Sequence, residues 1–130
     1  MARPIPVWLV AVTATALALV IWVLAVPVAG VDLEAGKPTQ TIGAAAVVLT
    51  VLVVTLCAWG VRTLLRRRAP IAWWLTCGIV LLISLVLGPL SASSPAAVAT
   101  LAALHVTVGT VLAVGLDPRR ARVRTPALAG

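Results

Sequence analysis

Four long apolar runs constrain this chain more than any other feature. They cover residues 7–29, 42–61, 71–90 and 96–116. A helix rises about 1.5 Å per residue, so about twenty apolar residues cross the roughly 30 Å of hydrocarbon in a bilayer. The runs are apolar on every side, whereas the strands of a membrane β-barrel alternate apolar and polar side chains. The sequence therefore predicts an all-α fold, a bundle of four transmembrane helices.

The placement of the basic residues predicts how this bundle sits in a membrane. Lys and Arg near the ends of spans stay preferentially on the cytoplasmic side. Arginines precede the first run, join the second to the third and follow the fourth: Arg3, Arg62, Arg66, Arg67, Arg68, Arg119, Arg120, Arg122 and Arg124. These segments are expected to share the cytoplasmic side, so both termini are predicted to be cytoplasmic. The link Gly30 to Thr41 and the turn Ser91 to Pro95 face the other side.

The formal net charge of +7 raises the question of nucleic acid binding. That function needs a basic face on a folded soluble domain, and nearly all of this chain lies in spans, short turns or tails. Topology already accounts for the arginines, and anionic lipid attracts each basic residue near the surface by about 1 kcal/mol. We therefore expect the lipid bilayer and anionic lipid headgroups as partners, and no nucleic acid.

The spans leave little chain for an independent soluble unit, so residues 1–130 are predicted to form one membrane domain. The link Val31 to Gln40 contains turn-forming Asp32 and Gly36, and it is either a small cap or a solvated link. Residues 117–130 are basic and are expected to form a disordered tail. The first run exceeds the about 7 to 15 apolar residues typical of a signal peptide, so we interpret it as a permanent anchor.

His105 is the strongest candidate for a functional side chain. It falls near the middle of the fourth run, and apart from two thiols it is the only ionisable side chain at such depth. Polar groups there are rare and usually face the bundle interior. By depth, Thr50 and Ser84 are its predicted partners. It either accepts a proton or binds a ligand in a small polar cavity, or it is a neutral histidine hydrogen-bonded across helices for packing.

Two cysteines, Cys57 and Cys77, fall at similar predicted depths and are candidates for neighbours. Some four-helix membrane enzymes exchange disulfides, but the chain has no Cys-x-x-Cys motif. In the predicted topology both thiols also lie in the half of the bilayer next to a reducing cytoplasm. We therefore expect buried structural thiols, since free cysteine usually packs as a small apolar side chain.

Stripes of small residues predict where helices pack closely. A stripe on the fourth helix consists of Ala99, Ala103, Thr107 and Thr110, and Ala14 and Ala18 form another on the first. Such stripes let helices approach closely, either within one chain or between chains.

Four tryptophans fall near the predicted cytoplasmic boundary, where they are expected to act as interfacial anchors: Trp8, Trp59, Trp73 and Trp74.

Signatures of catalysis and metal binding are missing from the sequence. A single histidine and three carboxylates remote from it in depth form neither a Ser-His-Asp set nor a metal-binding cluster. A phosphate-binding glycine loop is also missing. We therefore predict no catalytic, cofactor-binding or metal-ligating residue, and no cofactor.

The chain also resembles a known family. The matching stretches are Gly30-Val31-Asp32-Leu33, Trp59-Gly60 before a basic turn, Leu85-Val86-Leu87-Gly88-Pro89-Leu90, and Leu104-His105-Val106 with Gly109. Their order and spacing are similar to those of small four-span membrane proteins of actinobacteria, the domain of unknown function 6069 family. The resemblance covers the chain from the first span to Leu116, and it implies a four-helix membrane fold with no established activity.

Together these observations predict a multi-pass protein of a bacterial inner membrane with a structural or accessory role and no catalytic activity. The alternative is a small homodimeric transporter or channel with His105 lining the pathway, although no span carries a carboxylate for proton coupling. A membrane thiol redox enzyme is a third interpretation. A homo-oligomer or a membrane protein partner is compatible with the first two.

Overall fold

The structure is a computed structural model that describes residues 5–36 and 38–119. Within these ranges the long helices are α1 (Val7–Val23), α2 (Ala44–Leu65), α3 (Pro70–Leu90) and α4 (Pro95–Gly115). All four are long and apolar enough to cross a membrane. The predicted all-helical fold is confirmed, and its four apolar helices indicate a multi-pass membrane protein. Arg3, Arg120 and most of the predicted tail lie outside the described residues.

The first helix continues past Val23 as a π-helical turn, Leu24–Val28. Pro27 lies in this turn and has no backbone N–H to donate to the preceding turn. At the end of the turn, the backbone N–H of Val31 donates to the carbonyl of Ala25 at 2.9 Å. Helix and turn together give a segment from Val7 to Val28 that is long and apolar enough to cross a membrane.

A small β-hairpin covers the end of the bundle between α1 and α2. Its strands, β1 (Glu34–Ala35) and β2 (Gln40–Thr41), pair antiparallel. Gly36 has a φ of 94° at the turn, a conformation open to glycine because it has no Cβ. Ala35 bridges to Ala92 in the α3–α4 turn, and Leu33 is buried below the hairpin. The link between the first two spans is therefore a packed cap.

Helix order across the bundle differs from helix order along the chain. α1 packs along both α2 and α4, and α3 packs along α4, whereas α2 and α3 barely touch. Ala14 and Ala18 of α1 are fully buried. Small side chains let backbones approach closely, which matters in lipid because little hydrophobic force drives helices together. The order across the bundle is therefore α2, α1, α4, α3.

The small-residue stripe on α4 does not face the core. The buried side chains of α4 include Ala97, Thr100, Leu101 and Leu104. Ala99, Ala103 and Thr110 are exposed, and Thr107 is half-buried. The close packing of α4 within the chain therefore uses a different face, and of the two stripes only the one on α1 contributes to the core.

Trp73 lies in the core, so the interpretation of this residue as an interfacial anchor is wrong. Its side chain is 2% exposed and packs in a cluster with Leu112 and Leu116. Its Nε1–H donates to the backbone carbonyl of Ala113 at 3.0 Å. A buried indole N–H needs such an acceptor, and this bond ties the start of α3 to the end of α4. Trp74, its neighbour in sequence, is exposed.

Candidate functional site

A groove lies between α2 and α3, where these two helices fail to pack. α4 forms its floor, and its volume is about 570 Å³. Val54 of α2 and Val80 of α3 line this groove and are also exposed. The groove therefore opens sideways, where the hydrocarbon of a bilayer surrounds a membrane-spanning bundle. We call it the lateral groove.

Residues from different elements line the two ends of the lateral groove. Val61 and Trp73 line the end at which α2 and α3 converge on their connecting turn. Ala35 and Ile42 line the opposite end, under the hairpin. Its lining on α2 extends from Ala46 to Val61, which at 1.5 Å per residue is about 22 Å. The groove is thus longer than the roughly 15 Å of hydrocarbon in one leaflet.

The lining is mostly apolar and carries a small number of polar side chains. Valine, leucine and alanine side chains make up most of its walls. The polar members are Thr50, Cys57, Thr76, Cys77, Ser84, Ser91 and His105. Apolar walls with a few placed polar groups are typical of sites that bind small apolar molecules.

His105 lies on the floor of the lateral groove and is half-buried. Its Nδ1 is 2.6 Å from the backbone carbonyl oxygen of Leu101. A carbonyl oxygen only accepts, so Nδ1 donates this hydrogen bond. Among residues 5–36 and 38–119, no group hydrogen-bonds to Nε2. The groove therefore contains an imidazole nitrogen without a hydrogen-bond partner in the described residues.

Gly88 provides the space that the His105 ring occupies. A Cβ added at position 88 would lie 2.7 Å from Cε1 and 2.9 Å from Nε2 of His105. The ring therefore contacts the backbone of α3, and its hydrogen bond stays within α4. The predicted hydrogen bond across helices, to Thr50 or Ser84, is not formed.

Thr50 and Ser84, the predicted partners, nevertheless line the same groove as His105. The hydroxyls of Thr55 and Thr76 donate to carbonyls one turn earlier, at 2.7 and 2.8 Å, as helical threonines commonly do. Neither Thr50 nor Ser84 makes a bond of this kind in the part of the chain that is described. Their hydroxyls remain available to a molecule in the groove.

Cys57 and Cys77 are free thiols that line the groove from its two walls. Cys57 is exposed and Cys77 is half-buried. The expectation of buried structural thiols is therefore wrong for Cys57. The reason is the separation of α2 from α3, which leaves the α2 wall of the groove without a covering helix.

Arginines lie at the end of the bundle where the two walls of the groove converge. Arg62 is half-buried, and Arg66, Arg67, Arg68 and Arg119 are exposed. Arg119 lies at this end because the Trp73–Ala113 hydrogen bond joins the start of α3 to the end of α4. Among the described acidic residues only Asp117 is nearby in the chain, while Asp32 and Glu34 belong to the hairpin end. This arginine end is therefore strongly positive.

The described residues contain no metal-binding group of three His, Cys, Asp or Glu side chains. A family model matches nearly the whole chain: the family of unknown function DUF6069 matches residues 2–122. This range includes all four helices and every residue of the lateral groove. No curated protein and no solved structure matches the chain.

Proposed function

Since the chain belongs to DUF6069, a family of unknown function, we propose a function from the lateral groove itself. We infer that the protein is a non-catalytic accessory component of a bacterial inner membrane, of actinobacterial type. In this role it holds an apolar chain of another membrane component between α2 and α3. The four apolar helices support a membrane location, and the arginine end supports a cytoplasmic orientation for that end.

The separation of α2 and α3 carries this proposal. Helices joined by a turn as short as 66–69 usually pack as antiparallel neighbours, yet these two barely touch. A void in a bundle is unfavourable because the atoms of its walls lose their packing partners. In a bilayer an apolar molecule or a helix restores those contacts. A groove maintained by the packing of α1 and α4 is therefore suited to holding such an occupant.

The chemistry around His105 supports binding over catalysis. Nucleophilic catalysis needs a base within hydrogen-bond reach of a hydroxyl or thiol. In the described residues Nδ1 of His105 donates to Leu101, and Nε2 lies against Gly88 without such a partner. The free thiols of Cys57 and Cys77 likewise form no disulfide. These observations therefore support an accessory role better than they support an enzymatic or a thiol redox function.

A second candidate is a small homodimeric transporter or channel. The observation in its favour is that His105, Thr50 and Ser84 line one groove. Two copies with their grooves facing each other would enclose a pathway lined by these three polar residues. His105→Leu separates the candidates: a transporter would lose flux in vesicles while its fold stays intact, whereas an accessory protein would keep its bound component.

Photocrosslinking from the groove wall tests the accessory role. A photoreactive amino acid is placed at Val54, which lines the groove, or at Val53, which does not. The two positions are adjacent on α2 and are 42% and 57% exposed. We expect irradiated membranes to give a discrete adduct from position 54 that position 53 does not give, identified by mass spectrometry. The same diffuse lipid labelling from both positions would contradict the proposal.

A further inference from the structure

We propose that the lateral groove and the arginine end together bind one anionic phospholipid. Its acyl chain lies in the groove, and its phosphate contacts the arginines of the α2–α3 turn. This inference rests on the proposed function and specifies the occupant of the groove.

The two halves of this site are adjacent along the chain. Val61 lines the groove and Arg62 follows it directly. α2 ends at Leu65, one helical turn later, a distance of about 6 Å. On the other wall Trp73 lines the groove close to the start of α3 at Pro70. A molecule whose apolar chain leaves the groove at this end therefore reaches the turn that carries the arginines.

The charge at this end favours an anionic headgroup. The described residues at this end of the bundle carry one carboxylate, Asp117, and five arginines: Arg62, Arg66, Arg67, Arg68 and Arg119. Guanidinium groups bind phosphate oxygens with paired, charge-assisted hydrogen bonds. A zwitterionic lipid offers the same phosphate, but its own cation offsets the attraction. A net negative phospholipid is therefore the complementary headgroup.

The groove fits a lipid chain better than a partner helix. An acyl chain from one leaflet reaches about 15 Å into the hydrocarbon. It would occupy the arginine half of the groove, beside Val54 and Val80, and would end inside the bilayer. A spanning helix must continue past both ends of the bundle, and at the far end it would meet the hairpin cap, whose Ala35 lines the groove.

Lipid retention by purified protein tests this inference. The probes are phosphatidylglycerol and phosphatidylcholine with the same acyl chains, measured by native mass spectrometry on the full chain in detergent. We expect preferential retention of phosphatidylglycerol. Arg67→Gln and Arg68→Gln should each weaken it about fivefold, the equivalent of about 1 kcal/mol per basic residue near the surface. Arg119→Gln, outside the turn, should weaken it less.

Blocking the groove tests whether the acyl chain in the groove and the headgroup at the arginines belong to one lipid molecule. Val80 lines the groove and Ile79 does not, although they are 56% and 57% exposed. We expect Val80→Trp to abolish the preference for phosphatidylglycerol with every arginine in place, and Ile79→Trp to keep it. Val54→Trp and Val53→Trp repeat the comparison from the other wall. Circular dichroism and size-exclusion chromatography verify that each variant is folded.

Two results would contradict binding of an anionic phospholipid and leave the proposed accessory function unaffected. In the first, the groove-blocking variants keep the preference for phosphatidylglycerol, which makes it ordinary surface electrostatics. In the second, position 54 gives a discrete crosslink to a membrane protein while purified protein retains both lipids equally. The absence of any discrete adduct at position 54 would instead contradict the proposed function itself.

Discussion

The imidazole of His105 lies directly against the backbone of Gly88, and this contact sets how closely α4 approaches α3 beside the lateral groove. A Cβ at position 88 would come within 2.7 Å of the His105 ring. The ring has little freedom to withdraw because its Nδ1 is held 2.6 Å from the carbonyl of Leu101. The close approach of the two helices therefore depends on both residues.

Gly88→Ala should destabilise the protein by about 1–3 kcal/mol, the usual cost of overpacking a well-packed site. Gly78→Ala is the matched control on the same helix, because a Cβ there meets nothing within 4 Å. Alanine is the better helix former by about 0.5–1 kcal/mol, so the control should be neutral or stabilising. Thermal unfolding in detergent, followed by circular dichroism, measures both variants.

Removing the His105 ring should relieve the clash at position 88. In a double-mutant cycle we expect Gly88→Ala to cost less in a His105→Ala background than in the native chain, with a coupling of about 0.5–3 kcal/mol, as for residues in direct contact. The free energy of unfolding of the four proteins gives this coupling. Equal costs of Gly88→Ala in the two backgrounds would show that the contact is unimportant.

Two other glycines lie close to a side chain of a neighbouring helix. The destabilisation caused by alanine at each should depend on how stiff that side chain is. A Cβ at Gly109 would lie 2.8 Å from Cδ1 of Leu81, and one at Gly115 would lie 2.9 Å from both Cγ atoms of Val10. Leucine can rotate its terminal methyl groups away, whereas β-branched valine is stiff at χ1. We expect Gly115→Ala to lower the melting temperature more than Gly109→Ala. Val10→Ala should reduce the effect of Gly115→Ala, and the reverse ranking would count against this packing.

The adjacent tryptophans Trp73 and Trp74 should respond differently to the same substitution. Trp73→Phe removes the buried hydrogen bond to the carbonyl of Ala113, and the acceptor left without a partner costs about 1–3 kcal/mol. Trp74 is 39% exposed, so Trp74→Phe should change the free energy of unfolding far less. Chemical or thermal unfolding in one detergent compares them. Similar losses in both variants would contradict the buried position of Trp73.

The thiols should remain reduced in cells. Cys57 and Cys77 are free in the structure, and we expect both to be alkylated when cells are lysed and unfolded in the presence of a maleimide. Mass spectrometry should find two labels on each chain, and non-reducing gels should show no internal crosslink. A disulfide between Cys57 and Cys77 in untreated cells would revive the redox interpretation.

The sequence predicted the four long helices well because apolar length is a strong signal in lipid. The second helix extends beyond the end of its apolar run. The apolar run stops before Arg62, whereas α2 continues to Leu65. Arginine can extend its charged group toward water while its apolar stem stays on the helix, so the first charge does not mark the helix end.

Helix faces were harder to predict because the runs are apolar all round and carry little periodicity to mark a buried side. Ala14 and Ala18 are buried, whereas the similar pair Ala99 and Ala103 is exposed. Depth alone suggested Thr50 and Ser84 as partners of His105, and all three residues line the lateral groove. Depth did not predict the hydrogen bond to Leu101, the contact with Gly88 or the separation of α2 from α3, which depend on tertiary packing.

A high-resolution structure of the protein in a lipid nanodisc containing phosphatidylglycerol would show whether the lateral groove holds a lipid. We expect α2 and α3 to be held apart, with elongated density between Val54 and Val80 that ends at the arginines of the 66–69 turn. Direct packing of α2 on α3, with no space between those two valines, would contradict the proposed lipid binding.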